Sequence, residues 1–139
     1  MDETERRRQV AAEYVRMIGN GGIDESHLAD DMTAWSFTMG LVPRAEFWPR
    51  MKKVVEVFSE PLAMTVDSTT AEGPRVAVRS HSQGRLCNGQ EYANQYLFLI
   101  EFDQSGRISH AREYFDVRPL LEILLPAIRA LDAQDPAHA

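Results

Sequence analysis

Three side chains in this sequence form a potential acid/base set. Arg79 and His81 sit two apart in Arg79-Ser80-His81, and Glu113 lies in Arg112-Glu113-Tyr114-Phe115-Asp116. Imidazole titrates near neutral pH and a buried carboxyl can be tuned there, so a His81–Glu113 pair can divide the roles of general base and general acid. The Arg79 guanidinium would stabilise charge developing on a substrate oxygen. A spacing of two on a strand puts Arg79 and His81 on one face. What matters is whether Glu113 shares it.

Register decides that. Asn88-Gly89 falls between strand patterns at 75–87 and 90–102, and Asn-Gly flanked by strands favours a two-residue type I′ hairpin turn. With those residues as the turn, Arg79 lies opposite Phe98, His81 opposite Tyr96 and Gln83 opposite Asn94, while Val78, Ser80, Leu97 and Leu99 take the other face. A four-residue turn at 103–106 then pairs Phe98 with Ala111 and Tyr96 with Glu113. Two rows result, Arg79–Phe98–Ala111 and His81–Tyr96–Glu113. Strands lie about 4.8 Å apart, so His81 and Glu113 are roughly 10 Å apart at the backbone and can bracket a small ligand. A five-residue second turn would flip Glu113 to the opposite face. The polar face reads either as a functional pocket or as a buried Arg79–Glu113 ion pair with a hydrogen-bonded His81. Buried ionic groups are costly, which favours a role.

The elements that must hold these residues are an α+β set. Apolar residues at Val10, Ala11, Tyr14, Val15, Met17 and Ile18 have helical spacing over 3–18, and Gly19-Asn20-Gly21-Gly22 ends that helix. Residues 24–31 suit a short second helix and 32–39 a strand. Pro43 opens a third helix with a stripe of Phe47, Met51, Val54, Val55 and Phe58, and Pro61 stops it. Strands follow at 62–68, 75–87, 90–102 and 107–116, then an apolar helix over 119–131 and a frayed tail at 132–139. The expected architecture is one domain: three N-terminal helices, a strongly curved, mainly antiparallel sheet and a C-terminal helix.

Composition narrows the function classes. The chain has 139 residues and a net charge of -6, and its one basic cluster, Arg6-Arg7-Arg8, sits among Asp2, Glu3 and Glu5. That reads as a solvated helix end, not a nucleic-acid surface. No apolar run approaches the roughly 20 residues of a membrane span, and the acidic start is unlike a signal peptide. A single Cys87 leaves no internal disulfide and no Cys-rich metal site. A cytoplasmic protein without metal or cofactor is the expectation.

The closing Arg-Glu-Tyr-Phe-Asp segment, after a turn and a strand, resembles the SnoaL-like branch of the nuclear-transport-factor-2-like (NTF2-like) superfamily. That resemblance implies a cone-shaped α+β protein with a pocket between the curved sheet and its helices, dimerising through its outer sheet face. The first third is similar to ketosteroid isomerase: Tyr14-Val15 falls at the oxyanion-stabilising tyrosine, and Ala29-Asp30-Asp31-Met32-Thr33 at a helix-to-strand junction. Where that family has its two acids, however, this chain has Ser36 and Phe98, so steroid isomerisation of that type is not expected. The sheet resembles limonene-epoxide hydrolase, with Arg79-Ser80-His81 in place of Arg-x-Asp and Glu113 at the acid of the last strand. Polyketide-cyclase-like chemistry is also within the resemblance. Implied catalytic residues are His81, Glu113, Arg79 and Tyr14.

Expected pocket walls are Trp35, Phe37, Phe47, Trp48, Asn94, Tyr96, Phe98, Ala111 and Phe115. His110, three positions from Glu113, faces away. Asp30-Asp31 caps or is solvated, Asp116 caps the last helix, His27 and His138 are exposed, and Cys87 is far from any base. Two function classes stay open. One is a cofactor-independent enzyme performing hydrolysis, dehydration, isomerisation or cyclisation on a small apolar or aromatic cyclic molecule. The other is a non-catalytic binding or interaction protein of the same fold. A homodimer through Val78, Leu97 and Leu99 is expected in either case.

Overall fold

The first helix owes its position to its stripe. In the computed structural model, which describes residues 2–134, α1 (Glu3–Ile18) starts at Asp2, whose side chain accepts from the Glu5 N–H at 2.8 Å. It buries Val10, Ala11, Tyr14, Val15 and Ile18, a helical face. That face lies across β3 (Ala63–Glu72), β4 (Arg75–Arg85) and β5 (Glu91–Phe102). The arginine triplet is no solvated end. Arg6 donates to the carbonyl of Gly106, Arg7 to that of Gly73 and Arg8 to that of Thr69, so the three tie two turns and β3 to α1.

The expected helix at 24–31 is a single 3₁₀ turn, Glu25–His27, capped by Asp24. β1 (Leu28–Ser36) begins at once, because Leu28 pairs in parallel with Ile108 and both side chains are buried. Tertiary pairing overrides the local preference. The N-terminal part thus has two α-helices, one of them after β1 and β2, where three were expected. β1 turns into β2 (Gly40–Pro43) through Gly40 at φ 70, where the expected strand ran on to Met39. α2 (Arg44–Glu56) follows directly and buries Phe47. β6 (Ile108–Phe115) closes a six-stranded, curved and unclosed sheet of order β2-β1-β6-β5-β4-β3, antiparallel except at β1–β6.

Beyond it, Asp116 accepts from the Arg118 N–H at 3.1 Å and starts α3 (Val117–Pro119). A π-helical stretch, Leu120–Leu124, then leads into α4 (Leu125–Gln134). Pro126 has no N–H and crowds the carbonyl of Glu122, four residues back, so the preceding turn widens and Leu125 donates to the Leu120 carbonyl five residues away. Of the tail expected at 132–139, residues 132–134 continue α4, and residues 135–139, with His138, lie outside the described residues. No helix among the described residues is long and apolar enough to cross a membrane.

The first hairpin departs from expectation by one residue. Only Gly89 has positive φ there, at 90°, whereas a type I′ turn needs two such residues. The loop therefore has three residues, Cys87-Asn88-Gly89: Gly89 N–H donates to the Leu86 carbonyl at 2.9 Å and Leu86 N–H to that of Gln90 at 2.8 Å. Asn88 holds the tip by accepting from the Gln90 N–H. Register shifts accordingly, to Val78↔Phe98, Arg79↔Leu97, Ser80↔Tyr96 and Ser82↔Asn94. A one-residue shift exchanges the faces of a whole strand. Arg79, His81 and Gln83 therefore point outward, and Val78, Ser80 and Ser82 inward. This corrects the expected pocket positions of Arg79 and His81, and also the expected place of Val78 on the outer face.

The second turn departs twice, and the departures cancel. Five residues separate Phe102 from its partner Ile108, and a bulge at Ser109 then offsets the ladder to Glu101↔His110, Ile100↔Ala111, Phe98↔Glu113 and Tyr96↔Phe115. The longer turn alone would have sent Glu113 outward. The bulge restores the parity.

Candidate active site

The inner sheet face carries rows set by this register. Ser36, Glu113, Phe98 and Val78 stand across β1, β6, β5 and β4; Phe115, Tyr96 and Ser80 form the next row. Above them, α1 contributes Tyr14 and Ile18, α2 contributes Phe47, Met51 and Val54, and the C-terminal segment contributes Leu120 and Leu124. These groups enclose a cavity of about 150 Å³, open at one side and walled mostly by apolar groups.

Glu113 is the one carboxyl that lines it. It accepts or donates no hydrogen bond among the described residues and is partly buried. Burial raises its pKa from the ordinary 4.5 to about 7. Tyr14, 4% exposed, also lines the cavity and has no hydrogen-bond partner among the described residues. Burial first, then the nearby Glu113 charge, raises its phenol far above the usual range, so it remains a neutral donor. A carboxyl that shares its proton with solvent near neutrality and a fixed hydroxyl donor thus face one apolar space.

A second polar group is satisfied internally. Tyr96 shares a 2.8 Å hydrogen bond with Ser82 Oγ, and its ring stacks on Phe98 at 5.7 Å. Asn94 Nδ2 donates to the Tyr92 hydroxyl and to the Asp116 carbonyl, both at 2.9 Å. Burial raises both phenols. These residues stiffen the cavity floor.

Of the expected wall residues, Phe47, Tyr96, Phe98, Ala111 and Phe115 line the cavity with Tyr14 and Glu113. Trp35 is in the lining as well, although it alternates with inward Ala34 and Ser36 and its ring packs on Phe37 at 5.4 Å and Tyr114 at 5.3 Å. Phe37 is 56% exposed on that same outer side, a correction to its expected place as a wall. Trp48 packs behind Phe47 at 4.7 Å, and Asn94 sits behind Tyr92; neither lines the cavity. His81 stands half exposed on the outer face, its Nδ1 2.9 Å from Asp67 Oδ2. Arg79 is exposed there too, so no Arg79–Glu113 pair exists. His110 faces outward as expected, bonded through Nδ1 to Thr33 Oγ1.

Tyr92 was missed although period-two alternation from Asn94, Tyr96 and Phe98 marks it. Leu120 and Leu124 had no such signal, since the π-helical stretch alters their phase. One grouping among the described residues has ligand-like spacing: His27 Nε2 lies 3.8 Å from Glu13 and 3.5 Å from Asp24, on the exterior.

Comparison with solved structures agrees with this architecture. A proposed SnoaL-like polyketide cyclase from Jannaschia sp. CCS1 superposes with TM-score 0.76 at 13% identity, covering 89% of this chain and 94% of that one. AclR from Streptomyces galilaeus, a proposed hydroxylase, gives 0.74 at 21% identity over 88% and 98%. An LEH-like epoxide hydrolase from M. tuberculosis gives 0.70 at 17% identity over 96% and 100%. The chain shares the fold of these proteins. No family model and no curated protein matches the chain by sequence. At such identities, likeness carries the fold and leaves chemistry to the site.

Proposed function

We propose that the protein is a cofactor-independent acid/base enzyme acting on a small apolar cyclic molecule, with Glu113 as its proton-transferring group. The observation that supports this reading is a carboxyl without a hydrogen-bond partner, poised near pH 7, in an apolar cavity. The ideal catalytic acidity lies near the working pH. Ionised Glu113 takes a proton from a carbon beside a carbonyl; the C–H electron pair passes to the oxygen, and the protonated carboxyl returns the proton at another position. Tyr14 donates to the oxygen as its charge grows. One carboxyl serves both halves, which favours isomerisation or ring closure. Hydrolysis would require a water held between two acid/base groups, and His81 stands outside the cavity to supply neither.

Two copies fit the outer sheet face. Phe37, Leu41 and Leu97 are 56%, 66% and 47% exposed, and Trp35 and Tyr114 extend the patch between them. Contiguous apolar surface of this kind marks an interface.

The test is a pH–rate profile on cyclic ketones, with Glu113→Gln alongside. A rate that follows one ionisation near pH 7 and falls at least 100-fold in the variant is the expected result, given the usual worth of a positioned proton-transfer group, about 10²–10⁴-fold. Turnover unchanged in the variant would remove Glu113 as the proton carrier, and no turnover in either protein would leave a cavity that only holds its ligand.

A further inference from the structure

Arg50 occupies an unexpected place on α2. The residues of that helix facing the cavity are Phe47, Arg50, Met51, Val54 and Val55, the last four lying three, four, seven and eight positions after Phe47, so Arg50 interrupts an otherwise apolar stripe. Its side chain is 53% exposed, and its ion-pair neighbour one turn back, Glu46, is 4.0 Å away, beyond hydrogen-bond reach. Its guanidinium donors therefore have no protein acceptor among the described residues. Glu113 and Arg50 are the cavity's only ionisable carboxyl and guanidinium, one at the inner wall and one at the mouth.

Size supplies the second constraint. A dry apolar cavity of roughly 150 Å³ accepts a molecule the size of benzene. The enclosed space here is of that volume, so it takes one ring. A fused ring system would have to leave its second ring in the mouth.

We propose that the ligand is a single-ring molecule carrying an anionic group, its ring enclosed against Phe98 and Phe47 and its anion held by Arg50. This rests on reading the cavity as a small-molecule site. It adds the orientation: a negative group is disfavoured at the inner wall, where Glu113 already resists ionisation for want of solvent, and is welcomed only at the mouth. The ring atom meeting Glu113 is then the one farthest from the anion. An Arg50 stem that only covered apolar surface, with its head solvated, would show no preference for an anion.

Calorimetric titration separates them, using cyclohexanone, decalone, a ketone-bearing cyclohexane carboxylate and its carboxamide. The carboxylate should bind the wild-type chain about fivefold more tightly than the carboxamide, the worth of one partly exposed ion pair. That advantage should shrink with added salt and vanish in Arg50→Gln. Decalone should bind at least about tenfold more weakly than cyclohexanone, because a second ring exceeds the enclosed volume. Equal binding of carboxylate and carboxamide, an advantage that survives Arg50→Gln, or decalone binding as well as cyclohexanone overturns the inference while leaving the Glu113 reading intact. Failure of every one-ring probe to bind overturns both.

Discussion

Replacing Glu113 with glutamine keeps the shape of the side chain and removes its proton, so stability reports the cost of its charge. The carboxyl titrates at 4.5 when unperturbed and at about 7 in the fold. Below 4.5 both folded and unfolded chains hold the proton, and Glu113 has no effect on stability. Between 4.5 and about 7 the unfolded chain is ionised and the folded chain is not, so each rising pH unit costs the fold about 1.4 kcal/mol. Above about 7 both are ionised and the loss levels off near 3 kcal/mol. The pH-dependent part of the difference between wild type and Glu113→Gln should therefore change by about 2–3 kcal/mol between pH 5 and pH 8, with the variant gaining at the alkaline end. Urea unfolding at several pH values measures this, and roughly 8–10 °C in Tm should accompany it for a chain of this size. The sign is opposite to that expected for a carboxylate paired with Arg79. Parallel pH curves for the two proteins would refute the burial argument and the assignment of Glu113 as the proton carrier.

Tyr14→Phe should keep the fold within about 1 kcal/mol, because the lost hydroxyl has no protein partner, and should lower turnover by about 10²-fold if it supports an oxyanion; unfolding and kinetics on the same sample check both. His81→Ala removes an exposed pair with Asp67, so it should cost less than about 1 kcal/mol and leave turnover unchanged; a large kinetic loss would contradict the outward register. Phe37→Asp should convert a dimer into a monomer of about half the mass in sedimentation, by placing charge in the apolar patch. A wild-type monomer at high concentration would remove that interface.

Much of the sheet was legible because alternation needs no long-range information. Tyr96 and Phe98 share a face whatever the turn, and β5 and β6 run close to their expected limits. β4 was not legible, since its face depends on whether Asn88 takes positive φ, and the side chain of Asn88 instead braces a three-residue loop. One residue there moved Arg79 and His81 out of the site. The short second helix failed for another reason: Leu28 is claimed by β6, eighty positions downstream, and no local pattern records that. Tyr14 was placed by resemblance and Glu113 by two errors that cancelled, so the inner carboxyl was reached with the wrong partner beside it.

That cancellation makes the Ser109 bulge a hidden part of the site. Deleting Ser109 would remove the bulge while leaving the loop and the strand pairing on either side, and it would turn Glu113 toward the surface and bring a neighbour, Arg112 or Tyr114, inward. An indel there is in effect a substitution of the central acid. When related chains are aligned, a gap in this hairpin should be counted in pairs, and a single unpaired gap is a warning that matching letters at position 113 no longer mean matching chemistry.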